Sequence, residues 1–502
     1  MGIVIVAIIS AVLALFLYYA NSIWNLFRTY EHAKKIPGPE IHPIFGNVPS
    51  LINSTTADLG GIFKNWAKNQ REKGDQIMRM VLFGNMYVWP LNGKTVAKIL
   101  DSTTELNKGD DYSFFIPWVG NGLLLENGGD RWRSHRKMLT PTFHFAKLEG
   151  YFEVFNTECQ ILIEQIEKFA ESGESFNIFP YVKRCLLDII CETAMGIKID
   201  AQNNHEHKYI QACEKYMRMA VIHWFTPWVR HPLLFKLLGY QKQTEDYLTT
   251  MKGFTEKVIR ERRAAHASGE IEINTSKRMM NFLDLLLSQE DSNNLSEEDI
   301  RQEVDTFMFA GHDTTTSASS FALWNIAHNS DVQQKIYEEL VEVFGEDPRT
   351  DVTLENISKL GYLDKVLKES KRIIAPVPAV QRKLKNELEI DGYIIPRGSN
   401  ITIAPIVLHN NADVFPNPDV FDPERFSPEE ISKRHPYDFI PFSAGLRNCI
   451  GQKFAQLNEK VLICHILRNF EIEPTLKWNE TIPCVEVVTK PSKGIPLKLK
   501  RR

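Results

Sequence analysis

Phe442-Ser443-Ala444-Gly445-Leu446-Arg447-Asn448-Cys449-Ile450-Gly451 decides how this 502-residue chain is read. It is a loop that presents one cysteine to a metal. Gly445 suits a sharp turn that a side chain would obstruct, and Gly451 suits a close backbone approach. Arg447 sets a permanent charge two residues from the sulfur. From Ile450 onward the sequence QKFAQLNEKVLICHIL has helical period. Cys449 is therefore expected near a helix N-terminus, where the dipole favours thiolate over thiol. The other cysteines (159, 185, 191, 213, 464 and 484) form no CxxC pair. Neither a disulfide framework nor a zinc site fits them, and a reducing cytosolic setting does.

Working outward, Leu295-Ser296-Glu297-Glu298-Asp299 opens a helix with a capping serine and an acidic first turn. Apolar periodicity through Ile300, Val304, Phe307, Met308, Leu323 and Ile326 carries it for about 30 residues, far beyond an average helix. Its middle, Gly311-His312-Asp313-Thr314-Thr315-Thr316-Ser317, collects poor helix formers. Local rules broken mid-helix mark function or strain. A glycine kink beside an acid–alcohol pair supplies the parts of a proton relay, with Asp313 replenishing protons and Thr314 donating a hydrogen bond. His312 has no ligand partner at helical spacing and reads as structural or solvent-facing. Glu369 and Arg372 lie three apart on another helix, and Pro423-Glu424-Arg425-Phe426 follows some fifty residues later. Trp132 and Arg136 put an indole and a guanidinium on one helical face.

Helical patterns dominate from about residue 130 to 374, for example Phe145 to Glu171, Ile178 to Met195 and Glu245 to Ala265. Strand-like alternation is short: Ile77 to Val88, Glu387 to Ile395 and Val485 to Lys500. No βαβ repeat suggests a doubly wound sheet, so the expected architecture is mainly α with minor β sheets. Hydrophobic residues make up 43% and charged residues 24%, as in ordinary globular proteins, and a net charge of −4 gives no case for nucleic acid.

Ile3 to Ala20 is an uncharged apolar run, roughly 27 Å long as a helix. No positive segment precedes it and no A-x-A-like site follows, which favours an uncleaved anchor over a signal peptide. Arg28, Lys34 and Lys35 come after it and hold the remainder in the cytosol. The expected organisation is an anchor over 1–27, a Pro-rich spacer over 28–45 and one catalytic domain over 46–502. Residues 223–240 (HWFTPWVRHPLLFKLLGY) read as an interrupted helix–loop with an exposed apolar face.

Four elements, WxxxR at Trp132 and Arg136, AGxDTT at 310–315, ExxR with PERF at 369–372 and 423–426, and FxxGxRxCxG at 442–451, stand in the order found in the cytochrome P450 superfamily. The chain from Pro37 on resembles that superfamily. The resemblance implies a P450 fold, with a haem-thiolate helical body plus small N- and C-terminal sheets and an N-terminal transmembrane anchor. It implies haem b with Cys449 as axial thiolate, a ligand that pushes electron density to favour O–O cleavage. Trp132, Arg136 and Arg447 would face the propionates, with Arg382 a further candidate; Phe442, Gly445 and Gly451 would shape the loop. Gly311 would open a groove for oxygen, Asp313 and Thr314 would be the catalytic pair, and Glu369, Arg372 and Arg425 would form a buried network for folding. Residues 223–240 would be a lid dipping into the membrane.

GDRWRSHRKMLTPTFHF and EVDTFMFAGHDTT look most like family four, the animal fatty-acid ω-hydroxylase branch. Leu446 replaces a proline usual there, and Ala310 replaces a glutamate that in many members esterifies the haem, so the haem is expected to be non-covalent apart from the Cys449–iron bond. The implied activity is hydroxylation of a fatty acid or related apolar lipid with O2 and electrons from NADPH. The implied partners are NADPH–cytochrome P450 reductase and cytochrome b5, met by Arg131, Arg133, Lys137 and Lys453. The implied location is the endoplasmic reticulum membrane, single-pass, with a cytosolic catalytic domain. A haem-thiolate isomerase or dehydratase of lipid peroxides and a non-catalytic membrane haem binder are the rivals. Neither uses the relay offered by Asp313 and Thr314.

Overall fold

The computed structural model describes residues 2–143, 145–204, 206–269, 280–290 and 295–502. The first helix, α1, runs Gly2–Ala33 without a break, so helix continues into the segment read as spacer. The chain leaves helical geometry just before Pro37, whose ring cannot extend it. The anchor expected near its start falls largely on side chains outside the described residues. Among the described residues no helix is long and apolar enough to cross a membrane.

Strands β1 (Ile77–Leu82) and β2 (Asn85–Pro90) form an antiparallel hairpin. Its turn places Phe83 and Gly84 both at positive φ (52° and 78°), the primed geometry that matches strand twist. Helices follow: α2 (Asp130–Leu139), α3 (Phe152–Ser172), α4 (Phe179–Ile190), α5 (Lys208–Phe225), α6 (Tyr240–Ala267) and α7 (Glu297–Ala327). The helix expected through Met195 ends instead in a π turn, Cys191–Met195. After α8 (Gly361–Ile373) come β3 (Val380–Lys383), the hairpin β4 (Leu388–Ile390) and β5 (Tyr393–Ile395), and β6 (Asn400–Ile403). Helix α9 (Gln452–Asn469) and strands β7 (Phe470–Pro474) and β8 (Pro496–Arg501) close the chain. The strand expected over Val485 to Lys500 is broken into a two-residue strand at Lys490–Pro491 and β8.

The larger sheet has the order β1-β2-β6-β3, with β2 parallel to β6 and the other pairs antiparallel. Both faces are covered: Ile77, Val81, Val88, Ile401 and Ile403 pack into one apolar cluster, and Met78, Met80, Leu82, Tyr87 and Trp89 into another. A third, much larger cluster surrounds α7 and joins α3, α4, α8 and α9. The mainly α architecture with minor sheets is thus as expected.

Helix α7 is the axis of that core. The Ser296 hydroxyl accepts the Asp299 N–H, and the Asp299 carboxylate accepts the Ser296 N–H, closing a capping box. At about 1.5 Å per residue its 31 residues span about 46 Å. Nearly every side chain from Val304 onward is buried, while Ala310, Gly311 and Thr314 stay partly exposed.

Candidate haem-thiolate site

The cysteine loop is stiffened before α9 begins. Gly445 has φ +68°, and a Cβ there would lie 1.9 Å from the Leu100 carbonyl oxygen, so only glycine fits. Ser443 also sits at positive φ, 59°. The Cys449 N–H donates to the Phe442 carbonyl at 2.9 Å, closing the loop around the sulfur. Gly451 is the N-cap of α9, with an ordinary φ of −88°. A Cβ on Gly451 would meet nothing nearer than Phe143 Cε1 at 3.9 Å. The close approach expected at Gly451 is therefore not made to any described protein atom.

Cys449 alone among the seven cysteines is exposed. Desolvation by the surrounding chain pushes the thiol up, against the Gly451 N–H and the Arg136 charge, which favour thiolate. Cys449 lies just ahead of the first helical residue, Gln452.

Arg136 reaches across to the cysteine loop. Its Nη1 and Nη2 donate to the carbonyl oxygen and Oδ1 of Asn448 at 2.9 and 2.7 Å. This fork clamps the residue beside Cys449. Trp132 is buried with the Arg447 guanidinium 4.3 Å above its ring. Arg447 donates through Nη2 to the Glu126 carbonyl, while its Nε and Nη1 are buried with no hydrogen-bond partner among the described residues. Burial and neighbouring Arg382 push its pKa down to about 9. Lys108, which pairs with Arg382 in an isolated β bridge, is likewise held well down by burial, Arg382 and Arg447.

Unpartnered buried donors among mutually repelling cations fit a group bearing carboxylates. Haem b has two propionates, and a soft thiolate donor suits its iron. Cys449 would hold the iron, and Arg447, Arg382 and Lys108 would take the propionates. Lys108 gives no signal in sequence, since only the fold sets it beside the two arginines.

The relay residues sit on α7, which stays helical through Gly311. A Cβ on Gly311 would lie 2.7 Å from Ile190 Cδ1, so this glycine admits α4 against α7 and does not serve as an oxygen groove on that side. Thr314 Oγ1 donates to the Ala310 carbonyl at 2.7 Å, and Thr315 and Thr316 back-bond to Gly311 and His312. Ala310 and Thr314, four apart, share the partly exposed face. Asp313 turns the other way, onto Lys183 of α4, with Oδ1 3.2 Å from Nζ. Burial would push the Asp313 carboxyl up, but Lys183 holds it well below the usual carboxylate range. Sequence reasoning misses Lys183; its position three before Leu186 on an apolar face is the available signal. His312 is buried, not solvent-facing, with Nδ1 on the Met308 carbonyl and burial pushing its pKa down to about 4.

The buried network is present. Arg372 binds both oxygens of Glu369 at 2.7 Å, Arg425 Nε lies 3.5 Å from Glu369 Oε1, and the Asp422 N–H donates to the same oxygen. Arg372 also donates to the carbonyls of His409 and Val420. Of the basic face, Arg131 is tied to Asp299 and Glu126 and Arg133 to the Thr103 carbonyl, whereas Lys137 and Lys453 are exposed.

A family model described as Cytochrome P450 matches residues 36–499. The chain is 43% identical to mouse (Mus musculus) cytochrome P450 4V2 over 418 residues, covering 82% of this chain and 79% of the relative. It is 36% identical to Drosophila melanogaster cytochrome P450 4c3 over 498 residues, 95% and 91% of the two, and 37% identical to cytochrome P450 4d2 of the same fly over 98% and 99%.

Proposed function

The chain belongs to the cytochrome P450 family as a haem-thiolate monooxygenase with haem b held through a cysteine thiolate, and from that premise we propose that it is a membrane-anchored hydroxylase of fatty acids or related lipids, supplied with electrons from NADPH by cytochrome P450 reductase, with cytochrome b5 as a second donor, at the endoplasmic reticulum. The observation carrying the site assignment is the pair of unpartnered Arg447 donors beside a solvent-reachable Cys449.

When bound, the haem supplies oxygen activation. The chain supplies the rest. Arg136 and the Phe442 carbonyl fix the loop so that the Cys449 sulfur has one direction. Thr314, on the face shared with Ala310, carries the hydroxyl nearest in sequence to the acid, and Asp313 is the acid–base group that would accept a proton and pass it on. Trp118, Phe309, Phe115 and Tyr216 form an aromatic wall beside this part of α7, with Trp118 and Phe309 4.9 Å apart. Such a wall excludes water and favours an apolar chain.

Lys137 and Lys453 support docking of an acidic electron donor. The membrane reading is supported by the apolar sequence Ile3 to Ala20 and by exposed Trp228, Leu233, Leu237 and Leu238. Full chain reconstituted with the reductase and NADPH should convert a series of fatty acids to hydroxy acids, and the ferrous–CO complex should show the red-shifted band of thiolate ligation. Persistence of that band in Cys449→Ser would overturn the ligand. Turnover of sterols or xenobiotics with no fatty-acid product would overturn the substrate class.

A further inference from the structure

Three consecutive side chains near the start of α7 hold one short stretch of backbone. Arg301 Nη1 donates to the Trp118 carbonyl at 3.3 Å. Gln302 Oε1 accepts the Asn121 N–H at 2.8 Å, and the Glu303 carboxylate accepts the Leu123 N–H at 3.0 and 3.1 Å. Two glycines let the stretch lie this close. The helical turn Ile116–Val119 stops at Gly120, whose φ is +51° and whose Cβ would fall 2.0 Å from Gln302 Cδ. A Cβ on Gly122 would fall 2.7 Å from Thr306 Oγ1.

Adjacent residues of a helix stand about 100° apart and rise about 1.5 Å each. The three rungs therefore cover about 200° of the surface of α7 within about 3 Å of its length. Residues 118–123 wrap across the helix at one fixed height. That height matters because of what α7 carries further on. The Trp118 ring meets that of Phe309 at 4.9 Å, and Phe309 is followed by Ala310 and Thr314 on the partly exposed face.

The two outer rungs are braced from other helices. Arg301 pairs with Asp305, which accepts the Thr255 hydroxyl of α6 at 2.5 Å. Glu303 Oε1 meets His135 Nδ1 of α2 at 3.1 Å, on the helix that also carries Trp132 and Arg136. Glu303 and Asp305 are fully buried, whereas Gln302 is neutral and partly exposed. The middle rung can thus be altered without leaving a buried charge unpaired.

We propose that Gln302 and Glu303 are positioning residues that select the carbon attacked: by holding the Asn121 and Leu123 amides they fix where Trp118 stands relative to Ala310 and Thr314, and so how far an apolar chain advances. The inference deepens the lipid-hydroxylase reading and rests on it. Neighbouring carbons of a chain differ in advance by about one bond, roughly 1.5 Å, so a wall displaced by that much presents a different carbon. Neither residue touches the chain. Each acts through the backbone amide it holds.

The test gives dodecanoic acid to full-length holoenzyme with the reductase and NADPH, and separates the hydroxy acids by position. Gln302→Met keeps the length of the side chain and loses the acceptor for Asn121. It should change the ratio of terminal to in-chain product about 3- to 10-fold, the bias that one net hydrogen bond supplies, with haem content and CO spectrum as in wild type. Gln302→Glu keeps the acceptor and should match the wild-type ratio. Glu303→Gln keeps an acceptor for Leu123 and should shift the ratio less than Glu303→Leu. If Glu303→Leu loses its haem, the two Gln302 variants decide alone. An unchanged ratio in Gln302→Met, or a fall of all products together at constant ratio, marks a merely structural seam and overturns the proposal. Equal shifts in Gln302→Met and Gln302→Glu also overturn it, since they trace the effect to the lost bond from Gln302 Nε2 to Glu298. A wild type that yields no hydroxy acid sinks the lipid reading and the inference with it, whereas wild-type product with one ratio across all variants sinks only the inference.

Discussion

Ala310 carries a methyl group at a partly exposed place in α7, and its carbonyl accepts the Thr314 hydroxyl. A methyl cannot form an ester, so the cofactor is expected to leave the polypeptide in acidified solvent as unmodified haem b; haem that travels with the denatured chain on chromatography would contradict this. The small side chain also leaves room on the face shared with Thr314, so hydroxylation at in-chain carbons should accompany or replace attack at the terminal methyl, and exclusive ω product from a fatty-acid panel would count against it. Thr314 gives the second expectation at this scale. Among the described residues its hydroxyl bonds only its own helix, so Thr314→Ala removes no long-range hydrogen bond there, and alanine is the better helix former. Haem content and the CO spectrum should survive, while product formation falls by about 10²-fold and NADPH oxidation yields hydrogen peroxide. Coupling unchanged from wild type would refute the relay. Residues whose chemistry is local are legible in the sequence: Cys449 with Gly445, and the acid–alcohol pair. Arg136 is not, because its partner, Asn448, lies 312 residues away in sequence, and neither is Gly311, because Ile190 is what it accommodates. Both depend on tertiary contacts that no local pattern encodes.

At the scale of elements, α8 and the chain leading to the cysteine loop are joined by His409. Its Nε2 accepts the Ile440 N–H at 2.9 Å, and its carbonyl accepts Arg372 of the Glu369 pair. Burial pushes its pKa down to about 3 from the ordinary 6.5, so the fold requires the neutral ring. The sign follows from linkage. A base whose folded pKa is depressed contributes stability that is complete above about pH 6.5 and is lost as pH falls toward 3. At pH 4.5, two units into that window, the loss from this one residue is about 2–3 kcal/mol. Glutamine keeps an acceptor for the Ile440 N–H and has no proton to gain, so His409→Gln should be less stable than wild type at pH 7 yet lose less on acidification. Thermal midpoints at pH 6.5 and 4.5 decide it, and parallel losses in the two proteins would refute the assignment. In the same network, Glu369→Gln leaves Arg372 buried with no carboxylate and should cost about 3–5 kcal/mol, seen as failure to retain haem on purification. The long helix is legible in its capping box, its acidic first turn and its apolar period. The π turn at Cys191–Met195 and the break in the last expected strand are not, because both follow from how neighbours pack and not from propensity.

For the whole molecule, three apolar segments meet at one end. Gly84 in the β1–β2 turn lies against Leu26 of α1, since a Cβ there would be 3.7 Å from Leu26 Cδ1. Phe83 in the same turn lies under the Arg230 guanidinium at 4.7 Å. Arg230 closes the short 3-10 turn Pro227–Arg230, and the helix Pro232–Leu237 follows it. Exposed around this turn are Trp228, Leu233, Leu237 and Leu238, and Ile44, Phe45 and Ile52 are exposed on the chain between α1 and β1. Leu237, at 71% exposure, is the most open of them. These exposed apolar side chains stand on segments that the β1–β2 turn brings near α1, and α1 carries the N-terminal apolar run. On the membrane reading proposed above, a bilayer would cover α1 and this end together. Fully burying a leucine side chain is worth about 1.5–3 kcal/mol, so partial insertion of these residues is expected to hold the protein on a surface even without an anchor. Deleting residues 2–27 should therefore leave protein that still floats with neutral liposomes in high salt. Adding Leu233→Glu and Leu237→Glu should release it, with the CO spectrum intact. Release by the deletion alone would make α1 the sole attachment, and attachment that persists in the double-glutamate variant would move the contact to another face of the molecule.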